Sequence, residues 1–255
     1  MGGQFTYVLP SQVYGASSSA SDGYGVHLTG VFNGVVKHFW VSNDNNILWS
    51  TLAVPGGEMP QVTLYEGTLR VTMKMIEGIY RKIRIYQSQD GGYSWSQLPD
   101  YYPENNPLIH NLFAYSDKYG THITWDDNPD PDYTNGFQNE VYYVRYNENP
   151  AGFTPTINVT ELSSPSQGGR PKVTVAGNKA CVAFLGGPGA SYTLTSRDLN
   201  LDNGTWDSFY RFGSENDPHR GLSITSIGDM IYTVGASDII TGMGCSQLQF
   251  FSYRH

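Results

Sequence analysis

Residues 83–98, IRIYQSQDGGYSWSQL (Ile83–Leu98), decide how the rest of the chain is read. In Lys82–Gln87, Ile83 and Ile85 alternate with Arg84 and Tyr86, the period of a strand with one buried face. Asp90-Gly91-Gly92 then predicts a tight turn, because glycine tolerates φ > 0 and Asp bonds the backbone of its own turn. Tyr93–Leu98 reads as the returning strand. The hairpin therefore carries Ser88, Asp90, Gly92 and Trp95 at the spacing S-x-D-x-G-x-x-W. The Asp90 carboxylate can accept turn N–H groups, Gly92 can close the turn, and Trp95 can fold back to bury its ring.

This spacing resembles the Asp-box, the turn motif of sialidase-like β-propellers. The resemblance implies a structural turn on the face opposite the usual active site, so it speaks to fold rather than chemistry. A propeller implies repetition. Ser42, Asp44, Asn46 and Trp49 repeat the spacing, with Asn46 in the glycine position; Asn also tolerates the left-handed region. Ser196, Asp198 and Asn200 give a weaker trace, with Trp206 three residues late, and Asn147-Glu148-Asn149 a weaker one still. The turns start near 42, 88, 147 and 196, intervals of 46, 59 and 49 residues that suit a four-stranded unit with loop insertions.

Composition agrees with an all-β chain. Its 255 residues can form one domain, 1–255. Charged residues are only 15%, against about 25% in typical domains, and Gly and Pro number 29 and 14, which suits short strands and tight turns. No stretch has convincing helical periodicity. The net charge of −8 with no basic cluster disfavours nucleic acid or an anionic membrane as partner. No apolar run approaches the ~20 residues of a membrane span. The first residues, MGGQFTYVLPS, lack the features of a signal peptide, although a secreted origin with a removed leader is slightly favoured. Cys181 and Cys245 form no metal or redox motif and read as buried strand residues.

The expected fold is a propeller of five four-stranded blades, spanning 13–53, 60–98, 108–162, 171–212 and 222–253. The last blade lacks one strand, and Gln4–Leu9 would supply it, closing the ring and removing an exposed edge. An open β-sandwich is the alternative.

In propellers, ligands meet the loops entering each innermost strand and the loops joining strands two and three; this is what the resemblance implies. Four clusters follow. Tyr101, Tyr102, Glu104 and His110 could present aromatic faces to sugar rings, or simply pack over the rim. Trp125, Asp126, Asp127, Asp130, Asp132 and Tyr133 lie on the longest insertion; their carboxylates suit Ca²⁺ chemically but lack the EF-hand pattern, and a solvated acidic loop is the plainer reading, so no metal or other cofactor is expected. Arg170 and Arg220 lead into equivalent innermost strands and could hold a carboxylate, or pair with nearby acids such as Glu215. Asp217 and His219 accompany the Gly-bearing loop Ser237–Cys245 in the last blade.

The partner expected is a carbohydrate. A lectin-like glycan-binding propeller is the first reading, because no complete catalytic set is visible. The alternative is a sialidase-like glycoside hydrolase or another polysaccharide-active enzyme, with Asp126, Asp217 and Glu58 as carboxylates that could flank a scissile bond.

Overall fold

The computed structural model describes residues 18–44, 47–104, 108–127, 140–160, 169–186, 194–212, 219–238 and 246–254. Among them there is no helix. Twenty strands form five antiparallel sheets. The first sheet runs β1 (Ser18–Ser21), β2 (Gly25–Phe32), β3 (Val35–Ser42), β4 (Ile47–Pro55). The second runs β5 (Gly57–Tyr65), β6 (Thr68–Glu77), β7 (Tyr80–Ser88), β8 (Ser96–Gln97). The third holds β9 (His110–Asp117), β10 (Gly120–Asp127), β11 (Glu140–Glu148) and β12 (Ala151–Phe153), with β13 (Ile157–Asn158) also on β11. The fourth runs β14 (Gly169–Ala176), β15 (Lys179–Leu185), β16 (Leu194–Asn200), β17 (Tyr210–Phe212). The fifth runs β18 (His219–Ile227), β19 (Met230–Asp238), β20 (Ser246–Arg254). Every sheet is a meander, so neighbours in sequence are neighbours in space, as the short Gly-bearing turns dictate. Gln4–Leu9, the expected closing strand, lies outside the described residues.

Contacts group the chain into two compact units: Met1–Ile79 with Ile83–Asp100, and Tyr80–Lys82 with Tyr101–His255. In the first, sheets one and two bury Val36, Leu52, Val54, Val62, Leu69, Val71 and Met73 between them. In the second, β14 packs against both β9 and β18, and a separate core of Val141, Tyr143, Val173, Val182, Phe184 and Leu199 fills the space between sheets three and four. β15, KACVAFL, is buried along nearly its whole length, which is why it reads as an apolar run rather than strict alternation, whereas β10 is equally buried but carries His122, Asp126 and Asp127.

The turn that opened the sequence reading is built as its chemistry requires. Ser88 Oγ accepts the Gly92 N–H at 2.8 Å and donates to Asp90 Oδ1 at 2.8 Å. Asp90 accepts the Ser94 N–H at 2.9 Å and the Ser94 hydroxyl at 2.5 Å. These bonds, Ser94's first, pull the Asp90 carboxyl down to about 2. Gly91 and Gly92 have φ of 72° and 95°. The Trp95 indole N–H returns to the Gly92 carbonyl at 3.0 Å. In the related stretch Ser42–Trp49, the Asn46 residue and the Trp49 side chain lie outside the described residues; Trp49 pairs with Phe39 through the backbone.

Two buried relays were not legible in the sequence. In the first unit, Asp22 meets His27 Nε2 at 3.2 Å, His27 Nδ1 meets His38 Nε2 at 3.0 Å, and His38 lies edge-on to Trp95. In the second, Asp117 meets His122 Nε2 at 3.0 Å, His122 Nδ1 meets the Tyr143 hydroxyl at 2.7 Å, and Tyr143 lies edge-on to Trp206. Each runs from an Asp beside the turn joining a sheet's first two strands, through the second and third strands, to a tryptophan of the following sheet. The late-arriving Trp206 thus does in its unit what Trp95 does in the other.

Candidate active site

A one-residue irregularity recurs near the start of the first strand in sheets two to five. The register slips between Glu58 and Gln61 on β5, and between Gly169 and Lys172 on β14. It slips between His110 and Phe113 where β9 faces β10, and between His219 and Gly221 on β18. Such bulges bend a strand and re-aim its side chains. Three of them hold a non-glycine residue in the left-handed region: Met59 at φ 51°, Asn111 at 46° and Arg170 at 54°. Met59 and Arg170 each precede a proline, which narrows their backbone freedom further. Conformations of this kind cost about 1–3 kcal/mol and persist only where surrounding contacts impose them.

In the second unit two of these strained residues converge on one carboxyl. The bulge on β9 places Asp126, near the end of β10, across from His110. Asp126 Oδ2 accepts the Asn111 side-chain amide at 2.8 Å and the Arg170 backbone N–H at 2.6 Å. The group is 1% exposed, and its Oδ1 is buried with no hydrogen-bond partner among the described residues. Burial pushes the Asp126 carboxyl above the usual carboxylate range; the Arg170 N–H, the Asn111 amide and the charges of His110 and Arg170 oppose that rise without cancelling it. A buried carboxyl whose pKa is raised by its surroundings is the starting point for general-acid chemistry.

The next residue faces the other way, since side chains alternate along a strand. Asp127, 5% exposed, is paired across the sheet with Glu140. Glu140 accepts the Tyr142 hydroxyl at 2.5 Å. Burial first, then the bond to Glu140, makes the Tyr142 phenol harder to ionise, so it serves as a donor rather than a nucleophile. Its ring stacks on Trp125, with centroids 5.6 Å apart and planes at 17°.

The remaining predicted residues divide by placement. Trp125 is fully buried and has no free face for a sugar. Tyr101, too, is a packing residue: its hydroxyl bonds Thr156 Oγ1, its ring lies 4.9 Å from that of Phe153, and burial pushes its phenol up to about 12. Of the two tyrosines expected to face sugar, Tyr101 is thus a packing residue, the alternative reading of that cluster. Tyr102 stays 56% exposed. His110 is half-buried beside Asp126. Arg170 contributes its backbone N–H to the site while its side chain is exposed. Glu58, in the first unit, pairs with Lys74 at 2.9 Å. His219 and Arg220 begin β18, but their side chains, and all of Asp130, Asp132, Tyr133 and Asp217, lie outside the described residues. Among the described residues no group of three or more His, Cys, Asp or Glu converges as metal ligands. Asn111 was missed by the sequence reading. Its only signal there was an Asn directly after a candidate His at the start of an inner strand.

No family model and no curated protein matches this sequence. Solved structures do share the fold. An α-L-arabinanase of Penicillium chrysogenum, complexed with arabinobiose, superposes with a TM-score of 0.58 at 14% identity, covering 95% of this chain and 82% of that one. The GH93 α-L-arabinofuranosidase of Fusarium graminearum, also with arabinobiose, gives 0.54 at 12% identity, covering 96% and 93%. A subtype N10 neuraminidase-like protein of A/little yellow-shouldered bat gives 0.56 at 13%, covering 96% and 79%. These are β-propellers, and the likeness shows that this chain has a β-propeller fold. It also corrects the lectin reading: the similar structures include an arabinanase and an arabinofuranosidase, both glycoside hydrolases, and the expectation of a sugar-binding module without chemistry is set aside.

Proposed function

We propose that this chain is a glycoside hydrolase in which Asp126 is the general acid. The observation that carries the reading is the geometry of the Asp126 carboxyl: buried, held at Oδ2 by two donors, its Oδ1 without a partner among the described residues, with burial raising its pKa. It stands near the end of β10, across from His110 of β9. In the reaction, the Asp126 proton passes to the glycosidic oxygen as the C1–O bond breaks and positive charge spreads over the sugar ring. Water then adds to C1 and gives its proton to a second carboxylate. Asp217, just ahead of β18, is the sequence's candidate for that base. Such acid–base hydrolysis needs no cofactor.

The substrate class we propose is α-L-arabinofuranosides, because two of the similar structures are an arabinanase and an arabinofuranosidase holding arabinobiose. In the same reading the five sheets are five blades, Gln4–Leu9 completes the last, and the Ser88–Trp95 turn is an Asp-box. The bonds of Ser88, Asp90 and Trp95 support that last assignment.

The test is hydrolysis of arabino-oligosaccharides, and of aryl α-L-arabinofuranosides with good and poor leaving groups, with a fluorogenic sialoside alongside. Asp126→Asn is expected to lose about 10²–10⁴-fold on poor leaving groups and far less on activated ones, since only the former need the proton. Equal loss on both would remove Asp126 from the acid role. A wild-type chain that cleaves no glycoside on the panel would overturn the enzymatic reading.

A further inference from the structure

Both Asp126 donors reach the same oxygen. Asn111 Nδ2 lies 2.8 Å from Oδ2 and the Arg170 nitrogen 2.6 Å from it. An oxygen accepting two N–H groups has no room left to carry a proton. Oδ1 accepts nothing among the described residues. The two oxygens of one carboxyl are thus made chemically unequal by their surroundings.

Both donors are delivered by left-handed, non-glycine backbone in strand bulges. Asn tolerates that region far better than most residues. A relaxed β9 would carry the Asn111 side chain away from Asp126, because removing the extra residue flips every later side chain to the other face. Among the described residues, other groups near the carboxyl are few. His110 faces it from β9, Arg170 lies on β14, and β11 presents the buried Val141.

We infer that Asn111 is a positioning residue for Asp126, and that with the Arg170 N–H it fixes Oδ1 as the oxygen that carries the proton. The catalytic half of this inference rests on the glycosidase reading, whereas the clamp itself does not.

Asn111→Gly keeps the left-handed backbone and removes the amide donor. Asn111→Asp keeps the shape, sets a second carboxyl against Oδ2, and serves if the glycine variant does not fold. The Asp126 carboxyl is followed by infrared difference spectroscopy, each protein against its own Asp126→Asn counterpart. Loss of a hydrogen bond to the ionised form is expected to raise the Asp126 midpoint by about one to two pH units in either variant. The alkaline limb of kcat should move up with it, with kcat reduced and KM little changed. A midpoint that stays within a few tenths of wild type overturns the inference, whatever the activity. A shifted midpoint in a chain that hydrolyses nothing would uphold the clamp and sink the glycosidase reading alone.

Discussion

The imidazole of His38 meets the indole of Trp95 edge-on, with ring centroids 5.1 Å apart and planes at 67°. Gly92 makes that contact possible. A Cβ on Gly92 would lie 2.6 Å from His38 Cε1, and its φ of 95° is unfavourable for any side chain. Gly91 has φ of 72°, yet a Cβ there would meet nothing within 4 Å. Gly91→Ala should therefore cost only the left-handed penalty, about 1 kcal/mol. Gly92→Ala should cost about 2–4 kcal/mol, adding the steric clash. Urea unfolding of both variants separates the terms. Equal losses would show that His38 moves aside freely.

Acid should loosen the relays. Burial, with His27 alongside, pushes His38 down to about 3, and burial likewise depresses His122 despite its bond to Asp117. Unfolded histidines titrate near 6.5. Below that pH the unfolded chain binds protons that the folded chain refuses. Each depressed histidine then costs about 1.4 kcal/mol of stability per pH unit, from about 6.5 down to its folded midpoint, and nothing above 6.5. His38→Asn should flatten the fall in unfolding free energy between pH 6.5 and 4. An unchanged slope in that variant would mean that other groups govern acid stability.

Asp126 should be a stability cost at neutral pH. Its folded carboxyl titrates above the unfolded value because burial disfavours the charge. Stability is lost as pH rises above about 4, where the unfolded carboxylate ionises freely, and the loss levels off above the folded midpoint. Asp126→Asn resembles the protonated acid in shape and cannot ionise. It should be more stable than wild type at pH 7 and close to it near pH 3. Thermal melts at the two pH values test this, and a variant less stable at both would refute it.

Arg84 anchors the second sheet by a two-point bond. Its Nε and one terminal nitrogen each lie 2.8 Å from an Asp100 oxygen, and the side chains are 14% and 12% exposed. The bond to Asp100, foremost, holds the guanidinium more firmly charged. A lysine cannot reproduce a parallel pair of N–H bonds. Arg84→Lys should cost about 1–3 kcal/mol in urea unfolding. Asp100→Ala should cost at least as much, because it removes both bonds of the pair and leaves the half-shielded guanidinium, among the described residues, only its 3.2 Å contact with Glu77. A loss under about 0.5 kcal/mol in both would place the pair among ordinary surface contacts.

The sequence by itself determined the local elements. Period-2 patterns and Gly-bearing turns fix meandering antiparallel strands, since each strand must bury one face and each turn must accept positive φ. The Ser88–Trp95 turn was legible for that reason, as was the hairpin around Gly177-Asn178, where Ala176 pairs with Lys179. The equivalence of Arg170 and Arg220 was legible too, and both fall in the register slips of β14 and β18. Side-chain burial was not. Tyr101 read as a sugar platform and Trp125 as part of an exposed acidic loop, because a loop aromatic and a core aromatic are the same residue type. Only packing against Tyr142 and Phe153 separates them. Tertiary structure alone decided that Asn111 and Arg170, 59 residues apart in sequence, reach one oxygen of Asp126. A carboxyl's acidity depends on what surrounds it in space, and here three strands of two sheets supply those surroundings.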